Sequence, residues 1–272
     1  MNIIKFLEPF TNENLLNAKS SRRGSFNIFG QIGKNSALAA IPMGLAALTS
    51  TRSSAADIGP TPSTPTGALQ LALTLEYLEA KFYNLGLESG VIPTGGRDEK
   101  VFMQIAAHEN DHVAYLQAGL GANAPAEPTF DFTVGGAFDP FNQTGIGNEA
   151  AYAQFLALAQ AFEDTGVRAY KGQAANLIST PDLLTAALQI HSVEARHASE
   201  VRRLRGLKGW ITGNLRGAGM PEATQAVYNG EELTSQAGYN TAALFGADAG
   251  SESFDEPLTT NEAVTIANLF IV

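Results

Sequence analysis

The 272-residue chain contains no cysteine, so disulfides, thiolate metal ligands and thiol nucleophiles are all excluded. That absence suits an oxidising or a reducing compartment equally. Basic residues are few. Seventeen Lys and Arg stand against 27 Asp and Glu, a formal charge of −10, which argues against nucleic acid or an anionic membrane surface as partner. Charged residues make up only 16% and hydrophobic ones 44%, enough for one domain with a substantial core plus appendages. The apolar stretch SALAAIPMGLAALTS is too short to span a bilayer, so no stable membrane insertion is expected. Neither a phosphate loop, a Ser/His/Asp triad nor a dinucleotide fingerprint stands out, and the dispersed glycines mark turns. Histidine is scarce, four in all, and half of them fall in one recurring motif.

That motif occurs twice. Glu76, with Tyr83 seven residues on, precedes Glu109-x-x-His112; Glu163, with Tyr170 seven on, precedes Glu194-x-x-His197. The distance from the lone Glu to the E-x-x-H is 33 residues in the first copy and 31 in the second. Each element lies in a stretch of helical period, so the chain reads as two helix pairs. A helix sets residues i and i+3 about 60° apart on one face, so each Glu/His couple can grip one ion. The flanking sequences LALTLEYL, FMQIAA, FLALAQAFE and LLTAALQI put these acids in apolar surroundings. Four ionised carboxylates there would carry a desolvation cost that no core tolerates without countercharge. Two divalent cations neutralise Glu76, Glu109, Glu163 and Glu194, and oxygen and imidazole donors suit iron, manganese or zinc. The competing account is a plain helical bundle with acidic solvent faces.

Neighbouring residues carry two readings each. Copy-to-copy alignment places Glu76 on Glu163 and Glu79 on Gly166, so Glu76 is the expected ligand and Glu79 a flanking acid or a neighbour of the site. His108 points about 100° away from Glu109 and is expected at the surface or behind a ligand. His191 can reach the site from three residues before Glu194, although a satisfied core or interface histidine is the plainer account. Asp111 and Asp164 can accept a hydrogen bond from a ligand histidine, with solvent exposure the default. Tyr83 and Tyr170 can bond a ligand carboxylate or take part in electron transfer, which makes them the candidate catalytic residues. A buried tyrosine satisfying its hydroxyl on any nearby acid is the bland alternative.

On these residues the chain resembles the ferritin-like domain family, in the branch of bacterial ferritin-like and plant desiccation-related proteins, over about residues 65–206. The resemblance implies an all-α, ferritin-like four-helix bundle with a long crossover between helices two and three. It implies the ligand set Glu76, Glu109, His112, Glu163, Glu194 and His197, with Glu109 and Glu194 bridging two Fe or Mn ions. It also implies O₂ or H₂O₂ as small-molecule substrate, with ferroxidase-like or peroxide-scavenging activity. Two further functions stand beside it: a non-catalytic, stress- or desiccation-protective scaffold, and assembly into homo-oligomers or arrays through the terminal segments.

Residues 1–56 differ in character from the rest. Ser21-Arg22-Arg23, Phe26, the apolar stretch and Ser54-Ala55-Ala56 resemble a twin-arginine export signal cleaved after Ala56. The aromatic comes one residue late and the basic region lies far from the start, so an N-terminal arm is the alternative. Export to the periplasm or exterior is expected, with a cytoplasmic location if the signal does not function. Residues 57–65 form a Pro-rich leader, 66–206 the bundle, and 207–272 a loop-rich extension closing in a short helix at Ala263–Phe270. Within the bundle, helices are expected at Thr66–Ser89, from an Asp98 N-cap to Ala118 with Gly119 and Gly121 as stops, at Asn148–Leu177, and from Thr180-Pro181 to Gly206. Arg202, Arg203 and Arg205 are expected to complement the last helix's dipole, and Trp210, Tyr228, Tyr239 and Phe245 to pack outside the bundle or at a subunit contact.

Overall fold

A computed structural model describes residues 57–272; the expected export signal lies outside the described residues. Four long helices dominate: α1 (Pro65–Ser89), α2 (Arg97–Leu120), α3 (Asn148–Leu177) and α4 (Pro181–Leu204). The Thr64 hydroxyl caps α1 by accepting from Gly67 N at 3.1 Å, Pro65 occupies its first turn, and Gly90 ends it at φ 74°. The expectations for α2 need correction: Gly96 is its N-cap, Asp98 sits inside the first turn, and the helix runs through Gly119 to stop at Gly121. Asp98 and Glu99 still favour that end through the helix dipole.

Side-chain pairs fix the directions. Gln117 donates to the Tyr77 hydroxyl at 2.8 Å and Asn84 bonds Asn110 at 3.2 Å, so α1 and α2 are antiparallel. Tyr83 meets Glu163 and Tyr170 meets Glu76, so α1 and α3 are antiparallel as well. Asp164 pairs with Arg202 and Gln160 with Arg205, which sets α4 against α3. It follows that α2 and α3 run parallel. The connection over residues 121–147 makes that crossover and is itself packed, with Phe132 and Phe141 entering the core beside Phe82 and Phe155.

Helices α1 and α3 are the inner pair, each buried nearly all round, whereas α2 and α4 bury one face and barely touch each other. The C-terminal extension explains the difference by covering the other side of α1 and α3. It contains a 3₁₀ turn (Glu222–Val227), a two-stranded hairpin of β1 (Ser235–Gln236) and β2 (Tyr239–Asn240), and helices α5 (Ala242–Ser251) and α6 (Thr260–Ala267). This is more structure than a loop-rich reading expects. In α6 the Thr259/Glu262 capping box starts the helix, and it ends at Ala267 rather than Phe270.

Buried Arg168 on α3 organises that cover. It pairs with Glu231 Oε1 at 2.6 Å and donates to the carbonyls of Glu256 at 2.7 Å, Asn229 at 3.0 Å and Val227. A Cβ on Gly172 would lie 1.8 Å from Leu258 O, so only glycine lets the extension lie against α3 there. Tyr228 is fully buried against the bundle, while Trp210, Tyr239 and Phe245 remain exposed. Arg202 does not act chiefly on the helix dipole. It is buried and bonds Asp164 in a two-pronged pair at 2.5 and 3.1 Å, and Tyr228 donates to the same carboxylate at 2.9 Å. Asp164, expected at the solvent face, is therefore an interior residue. No helix among the described residues is long and apolar enough to cross a membrane.

Candidate metal centre

Midway along the bundle each helix contributes to one buried polar cluster. The α1 segment LALTLEYLEA is buried on every side, so Glu76 within it has no route to solvent. Glu76, Glu109, Glu163 and Glu194 are completely buried, and His197 nearly so. His112 Nδ1 lies 3.0 Å from Glu109 Oε2 and 3.2 Å from both Glu76 Oε2 and Glu194 Oε1. His197 Nδ1 lies 2.8 Å from Glu109 Oε1, 3.3 Å from Glu163 Oε2 and 3.8 Å from Glu194 Oε2.

The donors fall into two groups, Glu76/Glu109/His112/Glu194 and Glu109/Glu163/Glu194/His197, within each of which the ligating atoms lie inside 4.8 Å of one another. Glu109 and Glu194 belong to both. Close as they are, many of these atoms are not hydrogen-bonded: Glu109 Oε1, Glu163 Oε2, both Glu194 oxygens and His197 Nδ1 are buried without a partner. The 2.8 Å approach of His197 to Glu109 thus lacks hydrogen-bond alignment. Neighbouring donors around a small divalent cation, at bonds of about 2.1 Å and right angles, stand about 3 Å apart. Spacing, donor type and orphaned atoms all fit a pair of cations.

Electrostatics describe the cost of the cluster without them. Burial, then the Glu194 charge, pushes the Glu109 carboxyl up to about 7 against the pull of His112 and His197. Burial, then Glu76, pushes Glu194 up to about 8, and burial likewise raises Glu163. Burial alone would lower His197, but Glu163 and Glu109 outweigh it and hold the ring at about 11; His112 is driven upward in the same way by Glu76, Glu109 and Glu194.

The two tyrosines cross the bundle. Tyr83 on α1 donates to Glu163 Oε1 on α3 at 2.5 Å, and Tyr170 on α3 donates to Glu76 Oε1 on α1 at 2.5 Å. Each leaves the other oxygen of its glutamate facing the histidine. Both hydroxyls are fully buried, and burial followed by the adjoining carboxylates raises their pKa values well above a free phenol.

The structure also places residues that sequence reasoning left to one side. Glu79 is buried, and its Oε1 would lie 3.2 Å from a Cβ at Gly166, with Glu194 Oε2 at 3.3 Å from the same point. It is a fifth carboxyl beside the donor clusters, with its pKa raised well above normal by burial and then by Glu194 and Glu163. The Glu79/Gly166 mismatch between the two copies was the visible signal. His108 lies behind His197, with Nδ1 2.9 Å from His197 Nε2. Asp111 is exposed, and His191 is half-buried with its Nδ1 unpartnered, neither joining the donor clusters.

A family model described as the ferritin-like domain matches residues 65–207, just over half of the chain. No curated protein matches it.

Proposed function

The chain belongs to the ferritin-like domain family, and on that premise we propose that it is a dinuclear iron or manganese carboxylate protein that reacts with O₂ or H₂O₂, as a ferroxidase or a peroxide scavenger. The observation that carries this is the sharing of Glu109 and Glu194 between two buried donor clusters in which one oxygen each of Glu109 and Glu163 and both oxygens of Glu194 have no hydrogen-bond partner. Glu76, Glu109, His112 and Glu194 would hold one cation, and Glu109, Glu163, Glu194 and His197 the other. When bound, such a pair supplies two electrons to one small oxidant without releasing a one-electron product.

The remaining residues prepare that chemistry. Tyr83 and Tyr170 hold the outer oxygens of Glu163 and Glu76, so each carboxylate keeps its inner oxygen directed at the site. Hydrogen-bonded to Glu163 and Glu76, their hydroxyls are also placed to take part in electron transfer. Glu79 is a buried carboxyl beside the donor clusters whose pKa is raised by burial and then by Glu194 and Glu163, so it can hold a proton next to the site. A water-sized crevice between α1, α3 and α6 is lined by Leu75, Leu78, Glu79, Phe162, Ile266 and Phe270. Its size and apolar walls favour a diatomic oxidant or a peroxide over an organic substrate.

The test is to load purified full-length protein anaerobically with Fe²⁺ or Mn²⁺, count bound metal by mass spectrometry, and follow Fe²⁺ oxidation and peroxide loss. Two ions per chain and turnover in at least one assay are expected, both lost in Glu109→Gln/Glu194→Gln. A folded, helical protein that retains no metal ends the proposal.

A further inference from the structure

Behind the two ligand histidines the surroundings are unequal. His197 Nδ1 faces the carboxylates, and its Nε2 meets His108 Nδ1 at 2.9 Å with the two rings 12° from parallel. His108 Nε2 in turn meets the Gln104 carboxamide at 2.7 Å, one helical turn back on α2. His112 has no such support. Its Nδ1 takes the carboxylates, its Nε2 makes no hydrogen bond to the described residues, and the ring is 12% exposed against 6% for His197. Val193, the residue before Glu194, holds the position equivalent to His108 in the second copy and offers only an apolar side chain.

We infer that His108 is a positioning residue that makes the two cation positions unequal, so that the Glu163/His197 position fills first and the Glu76/His112 position second. The inference rests on the dinuclear reading above and extends it. For His197 Nδ1 to ligate a cation it must present a lone pair, so the ring hydrogen must sit on Nε2. His108 Nδ1 accepts that hydrogen, and His108 Nε2–H then donates to the Gln104 oxygen once the carboxamide of that exposed side chain is turned over. The chain therefore runs in one direction from ligand to surface. It fixes the plane of His197 before any cation arrives, and it keeps the hydrogen on Nε2 when Nδ1 gives up its own to ligate. A ligand histidine so supported binds metal about 10–100-fold more tightly than one whose partner has been removed. His112 must fix its tautomer by itself, facing water.

The test uses metal-free full-length protein and Co²⁺, whose visible bands report the ligand field while calorimetry reports the affinity of each step. Wild type should bind two Co²⁺ in steps at least tenfold apart. At one equivalent, anomalous scattering at the cobalt edge should place the ion between Glu163 and His197. His108→Leu should weaken the tighter step 10–100-fold, leave the weaker one within about twofold, and alter the first-step spectrum. His108→Gln, which retains an accepting oxygen, should restore the separation. Cobalt shared evenly between the positions or resting at Glu76/His112 overturns the inference, as does a His108→Leu isotherm that matches wild type or weakens in both steps alike. The half-loaded wild type carries this test even if the leucine variant fails to fold. Wild type that binds no Co²⁺ removes the dinuclear reading beneath it, a result distinct from two equal steps.

Discussion

Strip the full-length protein with a chelator and melt it at pH 5, 7 and 9: stability should fall at each step. An unfolded glutamate titrates near 4.5, whereas in the fold Glu109 stands at about 7 and Glu194 at about 8. A carboxyl whose folded pKa lies above its unfolded value favours the fold while protonated. Its contribution is complete below pH 4.5 and lost as pH rises through 7 and 8. His197, raised from 6.5 to about 11, acts with the same sign in a higher window, present below pH 6.5 and lost toward 11. Each tenfold gain in proton affinity corresponds to about 1.4 kcal/mol, so the coupled cluster forfeits on the order of 5 kcal/mol between pH 5 and 9. At about 2–4 °C per kcal/mol for a domain of this size, the melting point drops by roughly 10–20 °C. Saturating Mn²⁺ competes with those protons and takes the ionised ligands, so the gap between metal-bound and metal-free melting points should widen as pH rises. Glu194→Gln, which cannot ionise, should flatten the metal-free slope. A metal-free melting point that is constant or rises from pH 5 to 8 would refute the electrostatic account of the cluster.

Three further outcomes follow from named contacts. Tyr83→Phe removes a hydrogen bond to a buried carboxylate and should cost about 1.5–3 kcal/mol in denaturant melts of the metal-loaded protein, with Tyr170→Phe matching it within error. Asp164→Ala leaves the buried Arg202 guanidinium and the Tyr228 hydroxyl without their acceptor. It should cost about 3–5 kcal/mol, and a loss under about 1 kcal/mol in urea would mean the network is solvated. Glu79→Gln removes an ionisable group from a cluster that already repels it, so at pH 8 the metal-free protein should gain stability while metal mass spectrometry still counts two ions; a count of one would make Glu79 a ligand itself.

Much of the site was legible because the chemistry is carried by type and spacing. The E-x-x-H couples share a helix face by geometry alone, and an acid inside LALTLEYL or FLALAQAFE has no exposed side to turn to. Helix α3 was readable at both ends, Asn148 and Leu177, because Gly147 precedes it and Pro181 follows closely. Residues 207–258 were not legible. Their structure depends on Arg168, Asp164 and Gln160, interior polar residues of α3 whose partners lie 50 to 90 positions further along, and no local period announces such contacts. Asp164 shows the same limit at one position: solvent is the default for a lone aspartate until Arg202 and Tyr228 come into view. Helix α5 escaped because it is ten residues long and is broken inside at Gly246, φ 86°.

The repeat also explains why its departures matter. Because Tyr83 clamps Glu163 and Tyr170 clamps Glu76, neither copy holds its own glutamate; each half supplies the other's support, and the +7 spacing is needed in both. Perfect copying would nonetheless fail at one point. A glutamate at position 166 would drive its Cβ to within 3.2 Å of Glu79 Oε1 and 3.3 Å of Glu194 Oε2, and would add a sixth buried carboxyl beside the clusters. Two divalent cations would balance four carboxylates, a fifth is already pushed well above its normal pKa by burial and its neighbours, and a sixth would add to that repulsion in a tighter space. Glu79 opposite Gly166 is therefore the arrangement that the space between α1 and α3 favours. His108 opposite Val193 is a second departure at the same level of the bundle. Both distinguish one end of the cluster from the other, while the ligands themselves remain matched. A centre built from two matched halves would thus acquire two inequivalent cation positions through residues outside the donor set.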